Sequence, residues 1–308
     1  MPIPTIFIVG APRCGTTSLQ GYLAAHPRVF MCDPKEPHHF GPDLLVRWNP
    51  HAKREAYLQL FNRARDDQQA GEASPLYLYS KTAPHEIKAF SPSAKIIILL
   101  RDPVQMVQSL HEHSLFLLNE DLVDLEQALA AESDRRLGRR IPSYCNAPLV
   151  LQYTTLARYS EHVERYQEVF GRERVRCILF EDLKNDPERV YRETLAFLGL
   201  EPAGSPNFKA HNPGRRWRSQ RLARLTLAPY FLGLHLCFRL PPGRARTAAL
   251  TLLGLLFHLP LKANSDQAPR LSALPFELRS ALRERFRDDI ERLAGILGRD
   301  LSSWLQPE

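Results

Sequence analysis

Thr5-Ile6-Phe7-Ile8-Val9-Gly10-Ala11-Pro12-Arg13-Cys14-Gly15-Thr16-Thr17-Ser18-Leu19 is the stretch whose reading decides the fold. It opens as a short apolar, β-branched run, passes through a turn bounded by Gly10 and Gly15, and enters a helical pattern. A buried strand feeding directly into a helix N-terminus makes an anion site. The first N–H groups of a helix have no partner within it, and the macrodipole places positive potential there. The two glycines allow a sharp turn and close approach of backbone to ligand, while Arg13, Thr16 and Thr17 add donors to the same concavity. The loop is built to hold a phosphate; a ligand-free glycine-bounded turn is the competing reading.

Outward from the loop, Ser18–Ala25 continues as a helix that His26-Pro27 ends. Val29–Met31 reads as a strand, Glu55–Ala64 as a helix, Gly71–Pro75 as a turn and Ala83–Phe90 as a short helix. Lys95–Arg101 is the clearest strand. Its unbroken run of isoleucine and leucine implies burial on both faces, as in a parallel sheet. Asp102-Pro103 then starts a helix, with the proline at its first position. Leu149–Phe170 carries helical spacing, Arg174–Phe180 reads as a strand, and Asp186-Pro187 opens another helix. Strands alternating with helices predict an α/β fold, a three-layer doubly wound sheet with mainly parallel strands and ligands at the carboxyl ends of the strands. Arg13 and Arg101 both fall just past such ends.

The chain of 308 residues is long enough for one substantial core, and residues 1–308 are read as a single domain. A net charge of +7 suits an acidic ligand or surface. It does not indicate nucleic acid, because no recognised nucleic-acid module accompanies it. Five cysteines without CxxC spacing argue against a disulfide framework and for a reducing compartment. With no secretory signal visible, the expected location is cytoplasmic. Residues 205–270 differ in texture, with arginines clustered around Trp217 and then two strongly apolar runs, Leu222–Leu240 and Ala248–Leu261. The first run is interrupted by Arg224 and Pro229, and the second is shorter than the ~20 residues a bilayer requires. The expectation is a helical cap or core-packed insertion. Peripheral membrane contact through residues 222–261, at the inner membrane face, is the competing reading. Pro275–Leu297 closes the chain as an amphipathic helix.

The glycine pair has the spacing of a Walker A loop, but Thr16 stands where that loop carries lysine, which disfavours kinase or ATPase chemistry. The basic residue lies inside the loop, at Arg13. In this the sequence resembles the phosphosulfate-binding loop of sulfotransferases that use 3′-phosphoadenosine 5′-phosphosulfate (PAPS), a family with a P-loop-like fold. Arg101-Asp102-Pro103 with Ser109 resembles the family's segment for the 3′-phosphate, although Met106 replaces an arginine found in many relatives. Lys35-Glu36-Pro37-His38-His39-Phe40 resembles a segment of the bacterial and heparan-type enzymes in which the glutamate is the catalytic base.

The resemblance implies that Arg13, Cys14, Gly15, Thr16, Thr17 and Ser18 hold the donor, and that Arg101 and Ser109 hold its 3′-phosphate. It also implies Glu36 as general base, Arg13 and Lys35 on the transferring group, and His38 or His39 as alternative bases. Gly71–Pro75 resembles a Glu-Lys-(Ser/Thr)-Pro element with Ala73 in place of the lysine. Asn212–Trp217 sits where a late loop closes over the nucleotide, with Arg215 or Arg216 toward the 3′-phosphate and Trp217 near the adenine. The implied activity is sulfuryl transfer to a hydroxyl or amine of a carbohydrate, lipid or small-molecule acceptor, with PAP as product. No metal is assigned, since the adjacent histidines lack ligand geometry. A P-loop small-molecule kinase and a catalytically inactive nucleotide-binding protein are the alternatives.

Overall fold

A computed structural model describes residues 2–204, 206–208, 215–219, 243–267 and 274–306, with scattered positions between 222 and 240. Five strands form one wholly parallel sheet: β1 (Ile6–Gly10), β2 (Val29–Met31), β3 (Gln69–Ala73), β4 (Lys95–Leu100) and β5 (Val175–Leu179). Their order is β2-β3-β1-β4-β5, so β1 is central and its carboxyl end opens where the chain crosses between neighbours. β1 pairs with β3 from Ile6↔Gly71 and with β4 from Ile6↔Lys95, and its register shifts between Ile8 and Gly10, just before the loop. All five residues of β1 and the last five of β4 are buried, as their apolar runs required. Each fully buried Ile or Leu contributes about 1.5–3 kcal/mol, which makes this pair of strands the fixed frame for the loops that follow them.

Helix α1 (Thr16–Ala24) starts directly after the loop. After the short α2 (Arg54–Leu58) and α3 (Ala83–Phe90), helix α4 (Pro103–Phe116) leaves the end of β4. Its start is fixed by the Asp102 side chain, which accepts from the N–H groups of Val104 at 2.8 Å and Gln105 at 3.2 Å.

Three sequence expectations are corrected. Gly71–Pro75 is not a turn, because Gly71 to Ala73 belong to β3 and the chain turns only afterwards, through a 3₁₀ segment at Pro75–Tyr79. The glycine misled the reading. At Gly71 a Cβ would come within 2.8 Å of Ile6 Cβ, so glycine serves close strand packing there. Leu149–Phe170 is not one helix but a 3₁₀ turn (Pro148–Leu151), a single turn (Tyr153–Leu156) and a helix (Ser160–Phe170). The break has a tertiary cause. Asp289 of the terminal helix (Phe276–Leu297) accepts from the N–H groups of Tyr159 at 2.7 Å and Ser160 at 3.2 Å, capping the new helix. The helix expected over Glu55–Ala64 spans Arg54–Leu58 and passes into a 3₁₀ turn at Gln59–Phe61.

The helical C-terminal part comprises helix Arg244–Ala263 and the terminal helix. A small antiparallel pair, Arg215–Trp217 with Ser265–Gln267, brackets the insertion. Phe286, Ile290 and Leu293 of the terminal helix join the same core cluster as the sheet. Asn212, Pro213 and Gly214, and much of the apolar run Leu222–Leu240, lie outside the described residues.

Candidate active site

Gly15 occupies the left-handed region, with φ 90°, and is the N-cap of α1. A Cβ there would sit 2.8 Å from Leu183 Cδ2 and 3.2 Å from Phe180 Cδ2, so both conformation and space call for glycine. The turn carries Arg13, itself at φ 64°, toward α4, where its Nε donates to Ser109 Oγ at 3.1 Å. Arg101, at the end of β4, donates from Nη2 to Gln105 Oε1 at 3.0 Å and from Nη1 to the Arg13 carbonyl at 3.5 Å. Its guanidinium also lies over the Phe180 ring, 4.6 Å from the centroid. The hydrogen-bond partners of these two guanidiniums are neutral oxygens. Two cations therefore face one concavity at the end of the central strands, and burial together with the nearby Arg101 charge lowers the Arg13 pKa.

Lys35 supplies the third cation. Its Nζ donates to Thr17 Oγ1 at 2.9 Å, Thr16 Oγ1 at 3.1 Å and Glu36 Oε1 at 3.1 Å. The side chain of Lys35 thus reaches the first turn of α1, and the two threonines expected in the loop lie against it. His38 Nε2 lies 3.6 Å from the other Glu36 oxygen, Oε2. Burial in the cleft raises the Glu36 carboxyl, but the His38 hydrogen bond and the Lys35 charge outweigh it and hold the group down at about 2. Glu36 is therefore an anion at neutral pH, and its side chain is 43% exposed, open to a reactant.

Cys14 is fully buried, and its Sγ meets the Pro12 carbonyl at 3.3 Å. Burial pushes its thiol up to about 12, so it acts as packing and not as a nucleophile. Ser18 lies one residue further into α1 and hydrogen-bonds toward Tyr22. His39 is turned away from this concavity, stacked on Tyr57 at 4.2 Å with its Nδ1 2.9 Å from the His51 carbonyl. Trp217 stacks on Phe116 at 4.5 Å, and its Nε1 donates to the Phe116 carbonyl at 2.6 Å. Phe116 is two helical turns, about 10 Å, beyond Ser109, and the indole of Trp217, the residue expected near an adenine, is held there. Arg215 and Arg216 lie on the strand before it.

Two residues that the sequence did not assign to the site stand beside it. Glu72, fully buried on β3, accepts from Tyr57 Oη at 2.7 Å, Ser74 Oγ at 2.7 Å and Tyr77 Oη at 3.3 Å. The hydroxyls in turn accept from the loop carrying Glu36: Ser74 Oγ from His38 N at 3.3 Å, Tyr77 Oη from Phe40 N at 3.2 Å. Glu72 thereby anchors that loop from below. Its partners were not legible, because Gly71–Pro75 read as a turn and Tyr57 comes from a separate helix. The second is His113, one turn past Ser109 on α4. Burial, then the charge of Arg13, lowers its imidazole to about 4, so it is neutral beside the cations. Its four-residue spacing from Ser109 was visible in the sequence.

A separate cavity of about 420 Å³ lies beyond the end of α4, lined by Glu120, Arg135, Arg140 and Tyr144 among others. Arg135 there is held bidentately by Glu120, at 2.6 Å and 2.5 Å, so its charge is already answered. Among the described residues no group of three or more His, Cys, Asp or Glu side chains is arranged to hold a metal ion.

A family model described as the sulfotransferase domain matches residues 4–209. The human bifunctional heparan sulfate N-deacetylase/N-sulfotransferase 3 is 29% identical over 206 residues, covering 65% of this chain and 23% of that protein. The mouse heparan sulfate glucosamine 3-O-sulfotransferase 3A1 is 26% identical over 199 residues, covering 65% of this chain and 46% of that one. The match thus spans less than half the length of these relatives. Among solved structures, a sulfotransferase from Alicyclobacillus acidocaldarius is 27% identical with a TM-score of 0.73, covering 99% of this chain and all of the other.

Proposed function

The chain belongs to the sulfotransferase domain family, and from that premise we propose that it moves a sulfuryl group from PAPS to a hydroxyl or amine of a carbohydrate, lipid or small-molecule acceptor. The observation that carries this reading is the meeting of Arg13 and Arg101, hydrogen-bonded among the described residues to neutral oxygens, with an ionised Glu36 held by Lys35. Such a donor set fits an anionic nucleotide, since neutral oxygens accept the hydrogen bonds of Arg13 and Arg101 and the α1 N-terminus adds its own positive potential. In the proposal Arg101 and Ser109 hold the 3′-phosphate, while Arg13, Thr16, Thr17 and the loop N–H groups hold the 5′ end. Arg215 or Arg216 would add to the 3′-phosphate. The bound donor supplies the sulfuryl group and a phosphate leaving group.

Glu36 takes the proton of the acceptor, and Lys35 and Arg13 stand against the charge that grows on the leaving oxygen. A carboxylate held at about 2 is a weak base. When Lys35 turns from Glu36 to an anionic donor, the carboxylate loses one of the cations that depress it and becomes more basic. His38 orients Glu36 and is the alternative base. Heparan sulfate sulfotransferases among the relatives support a carbohydrate acceptor within this range. The five cysteines are unpaired, which supports a reducing, cytoplasmic setting. The terminal helix packing on the sheet core supports one domain with residues 205–270 inserted in it. Thermal unfolding with PAP, with ATP and without nucleotide tests the reading. PAP should raise the midpoint more than ATP, and ATP-dependent phosphorylation by the native chain would overturn it.

A further inference from the structure

Residues 202–265 contain ten Lys and Arg and no Asp or Glu, whereas the rest of the chain carries a net charge of −3. The whole positive balance of the molecule is thus gathered in one segment, largely beyond the family match at 4–209. The same segment is apolar. Helix Arg244–Ala263 places Leu252, Leu255 and Leu256, spaced by three and four, on one side, where they are 58%, 67% and 61% exposed. Its inner side is already used: a Cβ on Gly233 would meet Leu253, and Phe257 lies 5.5 Å from Tyr230. Leu225, Leu236 and Leu240 add further exposed apolar surface. Among the described residues no helix is long and apolar enough to cross a membrane.

We propose that this segment docks the protein in the plane of an anionic lipid bilayer, leucines toward the acyl boundary and arginines toward the headgroups. The charge pattern selects this occupant. A second copy would set one strongly basic segment, whose one neighbouring acid Asp266 is already paired with Arg218, against another, and polyanions such as nucleic acid give the exposed leucines no partner. An anionic bilayer answers both features, because amphipathic interfacial binding sums buried apolar area and attraction to acidic headgroups. The surface is tied to the rest of the protein through the pair Arg215–Trp217 with Ser265–Gln267, and Trp217 rests on the end of α4.

Co-sedimentation of the full chain with vesicles tests this, comparing phosphatidylcholine alone with a phosphatidylcholine–phosphatidylglycerol mixture. The anionic vesicles should retain the protein about tenfold more than the neutral ones, and raised salt should release it. The triple variant Leu252→Gln, Leu255→Gln, Leu256→Gln should lose most of this retention while its thermal midpoint in solution holds, since these side chains face outward. The pair Arg221→Glu, Arg224→Glu should also lose it, giving a second route should the first variant fold poorly. Equal retention by both vesicle types, no retention by either, or a dimer in solution that the leucine variant dissolves would overturn the proposal.

Discussion

Arg101 holds its guanidinium between Gln105 and the Arg13 carbonyl with no carboxylate among those partners, so an incoming phosphate gains a charge-assisted bond without displacing an ion pair. Such a bond contributes about 1.5–3 kcal/mol, and Arg101→Ala should weaken PAP binding roughly ten- to a hundredfold in titration calorimetry. An unchanged affinity would remove Arg101 from the site. Lys35 is tied to Glu36 by charge and by a 3.1 Å bond, and both lower the carboxyl. Lys35→Ala should therefore raise the Glu36 pKa, and the acid limb of the kcat/KM profile should move to higher pH. Arg13, Lys35, Glu36, Arg101 and Ser109 could be named as candidates from the sequence because the segments that carry them resemble those of the sulfotransferase family. Glu72 could not, since its meaning rests on Tyr57, which a separate helix brings to it, and on the 3₁₀ turn that places Tyr77.

At the scale of elements, the strand–loop–helix unit depends on Gly15. Gly15→Ala imposes a left-handed conformation costing about 1–2 kcal/mol and a clash with Leu183, and should lower the thermal midpoint by several degrees. A midpoint matching the native chain would mean the loop relaxes freely. The loop carrying Glu36 depends on strand β3 in another way. With Glu72 accepting their protons, Ser74 and Tyr77 are left to accept from the loop N–H groups. Glu72→Gln can donate back and confuse that order. We expect kcat to fall about ten- to a hundredfold through mispositioning, with PAP affinity and acceptor KM nearly unchanged; a loss confined to KM would contradict a positioning role. Strands β1 and β4 were readable because their apolar runs are continuous, whereas β3 was not, since its Gly71 and Glu72 read as a turn. The break before the helix Ser160–Phe170 was not, because its cap, Asp289, comes from the far end of the chain.

For the whole molecule, Glu72 also couples stability to pH. Burial, partly offset by the hydroxyl bonds, raises its carboxyl to about 7 from an ordinary 4.5. The native state then holds the proton more tightly than the unfolded chain. The resulting loss of stability is absent below about 4.5 and grows as pH rises toward 7, on the order of 3 kcal/mol in all. Thermal unfolding at about pH 5 and about pH 8 should show this decline in the native protein and a flatter response in Glu72→Gln. The doubly wound sheet was visible in the sequence from its alternation of elements, whereas the strand order and the carboxylate beneath the loop required long-range pairing. In the proposed reaction Glu36 is the base for sulfuryl transfer at this anion cradle. The most direct test of that role is PAP release from PAPS across a panel of hydroxyl and amine acceptors, for the native chain and Glu36→Gln. Release should depend on the acceptor and fall about 10²–10⁴-fold in the variant, with PAP affinity held. Undiminished release by Glu36→Gln with the same acceptor would contradict that role.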